Sequence, residues 1–117
     1  MSLRIGILGA QHYHANFWLR AFLRSEGVEI AGVWDRDPAR AGALCESNGV
    51  AAVDDLNLLV GTCDAVAICS ATSEHVDLVK AAAAQGRPIL CEKPLGATVE
   101  DCVEIASVVG KSNVPFM

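Results

Sequence analysis

Residues 3–14 read LRIGILGAQHYH, and this stretch decides the fold. Leu3 to Leu8 is a short apolar run of the kind that forms a buried strand, and Gly9 follows it directly. The next residues carry apolar side chains at the spacing of one helix face, which predicts a helix from about Tyr13 to Ser25. The apolar positions of that face are Ala15, Trp18, Leu19, Phe22 and Leu23. A strand, a glycine turn and a helix in this order open a parallel βαβ unit.

The same alternation continues to the end of the chain. Further strands are predicted over residues 28–34, 50–53, 64–69 and 88–91, with the start of a sixth at 114–117. Helices are predicted over residues 38–47, over a short segment capped by Asp54 or Asp55 and running through Leu59, over 74–85, and from Thr98 onward. Because the strands are almost continuously apolar, they belong to a parallel sheet that helices cover on both faces. Right-handed crossovers then predict an α/β fold with a doubly wound parallel sheet, Rossmann-like in three α/β/α layers, and one domain over residues 1–117.

Local signals mark where several helices begin and end. Asp37 before Pro38 predicts an N-cap with proline at the first helical position, and Gly49 predicts the end of that helix. Ser73 is expected to cap the helix that starts at Glu74. The predicted inner face of the last helix consists of Val99, Cys102, Val103 and Ala106.

The composition excludes several classes of protein. The chain has 117 residues, 52% of them hydrophobic and 20% charged, with a formal net charge of -5. A disordered chain would be poorer in apolar residues, and a nucleic-acid-binding domain would carry a basic excess. No apolar run approaches the length of about 20 residues that a membrane span needs, and no signal-peptide core follows Met1. The five cysteines are odd in number and lack C-x-x-C spacing, which favours reduced thiols and a cytoplasmic location.

Ligands of such a sheet bind beyond the carboxyl ends of the strands, so the residues after each strand are the informative ones. Gly9 to His14 stand where a dinucleotide-binding G-x-G-x-x-G turn would stand. Gln11 replaces the glycine that lets the backbone approach a pyrophosphate, and His14 replaces the glycine that packs the helix on the strand. The helix N-terminus still offers free N–H groups to a phosphate, and a plain strand–helix turn is the alternative.

Asp35 ends the second predicted strand. An acid at this place can accept the hydroxyl groups of an adenosine ribose and repel a 2′-phosphate, which favours NAD over NADP. The adjacent guanidinium of Arg36 could instead receive a 2′-phosphate. The alternative for Asp35 is a turn residue ahead of Arg36, Asp37 and Pro38.

Small polar residues follow the strand predicted over residues 64–69. Ser70, Ala71 and Thr72 would let a ligand approach closely, although helix capping is the alternative. His75 stands alone in the first turn of the next helix, a setting in which a histidine more often makes a local hydrogen bond than binds a ligand.

His12 and His14 invite a metal-binding interpretation. Residues at i and i+2 do not share a helix face, and no carboxylate or cysteine is expected nearby to complete a ligand set. No metal site is therefore predicted.

Glu92-Lys93-Pro94 after the fifth predicted strand is the sharpest signal in the chain. Proline holds Lys93 in extended backbone geometry, at the carboxyl edge of the sheet. A partly desolvated lysine there can share a proton with a reacting hydroxyl group. From this tripeptide alone, a solvated surface pair before a turn is the alternative.

Taken together, these residues resemble the N-terminal domain of the Gfo/Idh/MocA oxidoreductases, the glucose–fructose oxidoreductase and inositol dehydrogenase family. The resemblance covers essentially the whole chain. It rests on residues 5–10 (IGILGA), 32–37 (GVWDRD) with 39–41 (ARA), 64–68 (DAVAI), His75 through 82–83, and 91–95 (CEKPL). The Glu-Lys-Pro element is much more specific than the glycine turn.

The resemblance implies a Rossmann domain that binds NAD or NADP in an oxidoreductase acting on a sugar, cyclitol or related polyol by hydride transfer. It implies that Lys93 is catalytic and contacts both nicotinamide and substrate, and that the Lys93-Pro94 peptide bond is cis. The cofactor contacts expected from the loop positions and the resemblance are Gly9, Ala10, Gln11, His12, Tyr13, His14, Asp35, Arg36, Ser70, Ala71, Thr72, His75, Glu92, Lys93 and Pro94.

Two departures from the family pattern bear on this expectation. Gln11 and His14 replace small residues of the family, and the family's second α/β domain, which supplies most substrate contacts, does not occur in these 117 residues. The chain is therefore expected to be the cofactor-binding part of a longer protein and to show no turnover alone. Its expected partner is a small-molecule substrate, with no nucleic acid and no membrane, and a homo-oligomer is compatible with this reading.

Two alternatives stay open. The first is a non-catalytic nucleotide-binding or regulatory module, which the changes at Gln11 and His14 motivate. The second is a small-molecule methyltransferase, because such enzymes also place a glycine turn after the first strand and an acid after the second. The methyltransferase reading leaves Glu92-Lys93-Pro94 unexplained.

Overall fold

The computed structural model describes residues 1–117 and contains one sheet of four parallel strands. The strands are β1 (Leu3–Leu8), β2 (Val28–Trp34), β3 (Ala65–Ile68) and β4 (Ile89–Cys91). Their order across the sheet is β2-β1-β3-β4, so the direction of chain progression reverses between β1 and β3. Leu8 at the end of β1 pairs with Trp34 on one side and Ile68 on the other. The carboxyl ends of these three strands therefore lie at one level.

Helices cover both faces of the sheet. They are α1 (His14–Leu23), α2 (Pro38–Asn48), α3 (Leu56–Thr62), α4 (His75–Ala84) and α5 (Val99–Ser112). Because successive strand residues point to opposite faces, the core divides into two clusters. Ile5 and Ile7 pack with residues of α1 and α2, whereas Leu8 and Ile68 pack with residues of α3, α4 and α5. The predicted doubly wound, three-layer architecture is confirmed. No helix has the length and apolar character that crossing a bilayer requires.

The capping signals read from the sequence are present at α2 and α3, and α5 has a side-chain cap as well. The Asp37 carboxylate accepts a backbone hydrogen bond at 3.0 Å, Pro38 is the first residue of α2, and Gly49 ends that helix with φ of 68°. Asp55 and Thr98 cap α3 and α5 through their side-chain oxygens, at 3.1 Å in both cases. An N-cap of this kind contributes about 1 kcal/mol to stability.

Two predicted strands are reduced to single bridges. Of residues 50–53, only Ala52 pairs, with Val33, and of residues 114–117 only Phe116 pairs, with Ile89. The segment 50–53 lies between the end of α2 and the cap of α3, which leaves too few residues for a ladder. Both bridges extend the sheet at its outer edges.

The start of α4 differs from the prediction. Thr72–Glu74 form a 3₁₀ turn that runs directly into α4 at His75, and no side chain caps either segment, so the predicted Ser73 cap is wrong. A turn that already continues into the helix supplies the hydrogen bonds that a capping side chain would otherwise provide.

The predicted inner face of α5 is wrong. Val99 and Val103 are 76% and 63% exposed, whereas Ile105 is buried and Val109 packs against the core. Apolar residues occur around most of this helix, so sequence spacing fits more than one face. Contact with α4 selects the face that contains Ile105.

All five cysteines are free thiols. Cys45, Cys63 and Cys69 are buried, and burial raises the pKa of each thiol.

Candidate functional site

The turn after β1 lies directly against the loop after β3. Gly9 has φ of +90°, and a β-carbon at this position would lie 2.4 Å from the Cα of Ser70. Only glycine fits here, because both the backbone conformation and the space exclude a side chain. The Gly9 N–H donates to the Trp34 carbonyl at 2.6 Å. The ends of β1, β2 and β3 are thereby joined at one point.

Asp35 fastens the turn after β1 to the end of β2. Its side chain is 1% exposed. One carboxylate oxygen accepts from the Ala10 N–H at 2.7 Å, and the other accepts from the Asp37 N–H at 2.8 Å and from Arg40 Nη1 at 3.2 Å. Arg40 was not singled out from the sequence, since nothing in its local pattern points toward Asp35.

Two backbone donors stay unpaired in the turn that leads into α1. The His12 N–H donates to the Cys69 carbonyl, and the His14 N–H donates to His12 Nδ1, both at 3.0 Å. The N–H groups of Gln11 and Tyr13 have no partner within the chain. They stand at the N-terminus of α1, where the helix dipole favours an anion.

The end of β2 also contacts the loop after β3. Arg36 Nε donates to Glu74 Oε1 at 2.5 Å, and 65% of the Arg36 side chain remains exposed. Arg40 therefore holds its guanidinium group on the Asp35 carboxylate, whereas the guanidinium group of Arg36 lies on Glu74.

Glu92, directly after β4, is bonded to α1. Its Oε1 accepts from His14 Nδ1 at 2.7 Å and from Trp18 Nε1 at 3.3 Å, and its side chain is 9% exposed. Burial acts to raise the pKa of Glu92, but the hydrogen bonds from His14 and Trp18 and the nearby histidine charges outweigh it and hold the pKa below its usual range. Trp18 was missed as a site residue, although its spacing of four from His14 places both on one face of α1.

Lys93 itself is exposed and makes no hydrogen bond or ion pair within the chain. The Lys93-Pro94 bond is cis, as expected. Two residues later, the Leu95 carbonyl accepts from His75 Nδ1 at 2.9 Å. His75 is 1% exposed and thus lies beneath the surface rather than on it, as does Ser70 at 2%.

His12, His14 and Glu92 come together despite their separation in sequence. One ligand-type atom from each lies within 4.8 Å of the others, so the expectation that no carboxylate completes this set is wrong. The lone pair of His12 Nδ1 is used by the His14 N–H, and Glu92 Oε1 is used by His14 and Trp18. These bonds make the three residues a hydrogen-bonded cluster, which leaves few free lone pairs for a cation.

The residues predicted from the strand ends meet on one rim, with His75 and Ser70 just below it. We call this surface, formed by residues 9–14, 35–37, 70–74 and 92–94, the rim. None of the three cavities of the structure is centred on the rim. The largest, of about 430 Å³, runs along α1 and reaches the rim only at Tyr13. The other two, of about 320 and 350 Å³, are lined by residues such as Pro88 and Phe116 and by residues of α4 and α5.

The chain is similar to known proteins over its whole length. A family model described as oxidoreductase family, NAD-binding Rossmann fold, matches residues 3–117. Inositol 2-dehydrogenase 2 of Saccharopolyspora erythraea is 31% identical over 120 residues, which cover 100% of this chain and 35% of that protein. The rhizopine catabolism protein MocA of Rhizobium meliloti is 37% identical over 114 residues, which cover 95% of this chain and 35% of that protein.

A solved structure agrees with this similarity. An oxidoreductase from Agrobacterium radiobacter, in complex with NAD+, L-tartaric acid and magnesium, matches with a TM-score of 0.89 at 27% identity, covering 100% of this chain and 35% of that one. The chain thus spans 35% of the length of these relatives.

Proposed function

The chain belongs to the Gfo/Idh/MocA oxidoreductase family, which has an NAD-binding Rossmann fold, and we propose that its rim holds a nicotinamide dinucleotide for a polyol or sugar dehydrogenase. The observation that carries this proposal is the convergence of four loops at the point where strand order reverses, between β1 and β3. In open α/β sheets this is where dinucleotides bind. The residues present fit such a ligand at each of its parts.

The pyrophosphate is proposed to lie at the turn from Gly9 to His14. The unpaired N–H groups of Gln11 and Tyr13 are available to phosphate oxygens, at the end of α1 where the dipole is favourable. Gly9 keeps the turn tight against Ser70, and Ala71 and Thr72 border the same space. The side chain at position 11 replaces a glycine, so we expect the phosphate grip to be weaker than in a turn with that glycine.

The adenosine ribose is proposed to lie beside Asp35. The carboxylate accepts three bonds from its own chain, which leaves about one lone-pair site, on Oδ2, for a ribose hydroxyl and little freedom to move toward it. The guanidinium group of Arg40 supplies positive charge at the same place, and that of the adjacent Arg36 is bonded to Glu74. We propose NAD as the preferred cofactor on the basis of the Asp35 charge, with Arg36 as the residue that would accept NADP.

Lys93 is proposed as the catalytic residue. The nicotinamide supplies hydride acceptor or donor chemistry when bound. The exposed ammonium group of Lys93, with no partner in the chain, is free to bind the substrate oxygen at the reacting carbon and to share its proton. Inositol 2-dehydrogenase among the relatives supports a polyol, cyclitol or sugar as the substrate.

The wider setting follows from the same family membership. We propose a cytoplasmic enzyme with a small-molecule substrate and with neither nucleic acid nor membrane as a partner, in agreement with the acidic net charge of -5. A homo-oligomer is compatible with this proposal. The non-catalytic module is the second candidate, because Gln11 and His14 occupy glycine positions of the phosphate turn.

Calorimetric titration with NADH and NADPH tests the proposal. We expect the chain to bind NADH, and we expect Gln11→Gly to bind it more tightly. We expect Arg36→Ala to weaken NADPH binding about tenfold with little change for NADH, because one phosphate contact is lost. Absence of binding by both the parent chain and Gln11→Gly would refute the proposed function and favour a module that binds no dinucleotide.

A further inference from the structure

The position of Lys93 is fixed by its neighbours rather than by its own contacts. Its side chain is exposed and forms no hydrogen bond or ion pair with the rest of the chain. The location of its ammonium group therefore depends on how firmly the backbone on either side is held.

On the N-terminal side, Glu92 is anchored to two elements. Its N–H donates to the Ile68 carbonyl at 3.0 Å, which continues the pairing of β3 and β4. Its carboxylate accepts from His14 at 2.7 Å and from Trp18 at 3.3 Å. Both donors belong to α1, one turn apart, so the residue before Lys93 is tied to the helix that follows the phosphate turn.

On the C-terminal side, the Leu95 backbone is anchored from below. His75 Nδ1 donates to the Leu95 carbonyl at 2.9 Å. The other ring nitrogen, Nε2, is buried and has no partner. Burying an unpaired polar atom is costly, and natural proteins tolerate it where the group has another role. For His75, that role is to fix the Leu95 backbone through the Nδ1 hydrogen bond.

We propose that His14, Trp18 and His75 are positioning residues, which hold Lys93 at the rim by anchoring Glu92 and Leu95 on its two sides. The inference rests on the proposed function of Lys93. This role explains why His14 occupies a position where the usual turn has glycine, because its imidazole couples the phosphate turn to the lysine loop. A cofactor bound at the turn and a substrate bound by Lys93 would then be held in a fixed position relative to each other.

Hydrogen exchange in the ligand-free chain tests the anchoring directly. We expect His14→Ala to raise amide exchange about tenfold at Glu92, whose N–H is bonded to the Ile68 carbonyl, whereas His14→Gln, which keeps an N–H donor, stays close to the parent chain. Trp18→Phe keeps the ring and loses only the donor, so we expect a smaller rise. Leu23→Ala is the control, because Leu23 is an exposed apolar residue of α1 without a bond to Glu92. Unchanged exchange in His14→Ala would overturn the inference whatever the chain binds.

Competitive acylation of lysines tests the consequence for the site. The chain has three lysines, and Lys80 and Lys111 are internal references on the same molecule. We expect saturating NADH to slow labelling of Lys93 about tenfold in the parent chain and in His14→Gln, but less than about threefold in His14→Ala. A purely structural role for His14 would leave this protection intact, and that result would overturn the inference. If the parent chain gives no protection because NADH does not bind, the proposed function fails as well, which calorimetry shows separately.

Discussion

Gly9 and Ser70 are so close that a β-carbon on Gly9 would lie 2.4 Å from the Ser70 Cα. These residues follow β1 and β3, the two strands between which the strand order reverses. The contact is backbone against backbone, so it can be relieved only by moving a strand end. The geometry of the rim therefore depends on the absence of a side chain at position 9.

We expect Gly9→Ala to destabilise the chain by about 3 kcal/mol, because it combines a backbone clash with the cost of a positive φ. Chemical denaturation measures the change. Gly27→Ala is the control: Gly27 also has positive φ, at +74°, but nothing lies within 4 Å of its would-be β-carbon. We expect that variant to cost about 1 kcal/mol. Equal losses in the two variants would show that the contact with Ser70 does not matter.

We expect Asp35→Asn to destabilise the chain by about 2 kcal/mol, because an amide group has only one accepting oxygen and would leave a buried backbone N–H unpaired. The substitution would break one of the two hydrogen bonds that Asp35 accepts from the Ala10 and Asp37 N–H groups, at 2.7 and 2.8 Å. Asp37→Asn is the matched control, since asparagine is an equally good N-cap. Thermal or urea unfolding of both variants gives the comparison. An Asp35→Asn chain as stable as Asp37→Asn would contradict the structural role of the carboxylate.

The hydrogen bonds on Glu92 predict an acid-dependent contribution to stability. The folded-state pKa of this carboxyl group lies below its ordinary value of 4.5, so the folded state favours the ionised form. The resulting stabilisation is present above that ordinary value and is lost as the pH falls through the lower, folded-state pKa. We expect Glu92→Gln to be less stable than the parent chain at pH 7 and to lose that difference in acid. A difference that does not change between pH 7 and pH 3 would contradict this account.

The buried thiol of Cys69 and the partly buried thiol of Cys91 predict slow alkylation. Burial, aided by the charge of Glu92, raises the pKa of Cys91 to about 12 and that of Cys69 to about 12. Because the thiolate is the reacting form, we expect iodoacetamide at pH 8 to modify these two residues more than about a hundredfold more slowly in the folded chain than in urea. Cys102, which is only partly buried, is the internal reference. Mass spectrometry of peptides after timed quenching gives the rates. Rapid labelling of Cys91 in the folded chain would show that the β4 end opens readily.

The sequence predicts best where the cause is local. Asp37, Pro38 and Gly49 specify the ends of α2 by themselves, and each lies where expected. The gathering of loops at the rim was also predictable, because parallel strands joined by right-handed crossovers bring all their carboxyl ends to one edge.

The failures have tertiary causes. Ser73 would make an ordinary N-cap, but a 3₁₀ turn occupies its place. The face of α5 is chosen by contact with α4, which no spacing within the helix reveals. The bond between His14 and Glu92 joins residues 78 positions apart. Nothing in the sequence around His14 or Glu92 indicates that the two side chains are bonded, so the coupling of the phosphate turn to the lysine loop was not predictable.

The buried carboxylate of Asp35 has a consequence for redesigning this chain. Exchanging the acid after the second strand is the obvious route to altering nucleotide preference, yet here the same group ties the first loop to its neighbour. A neutral replacement that lets the new ligand bind would also remove the hydrogen bond that holds the first loop in place. Engineering of preference should therefore begin at Arg36, whose side chain is mostly in water and is bonded to Glu74 rather than to the loop after β1.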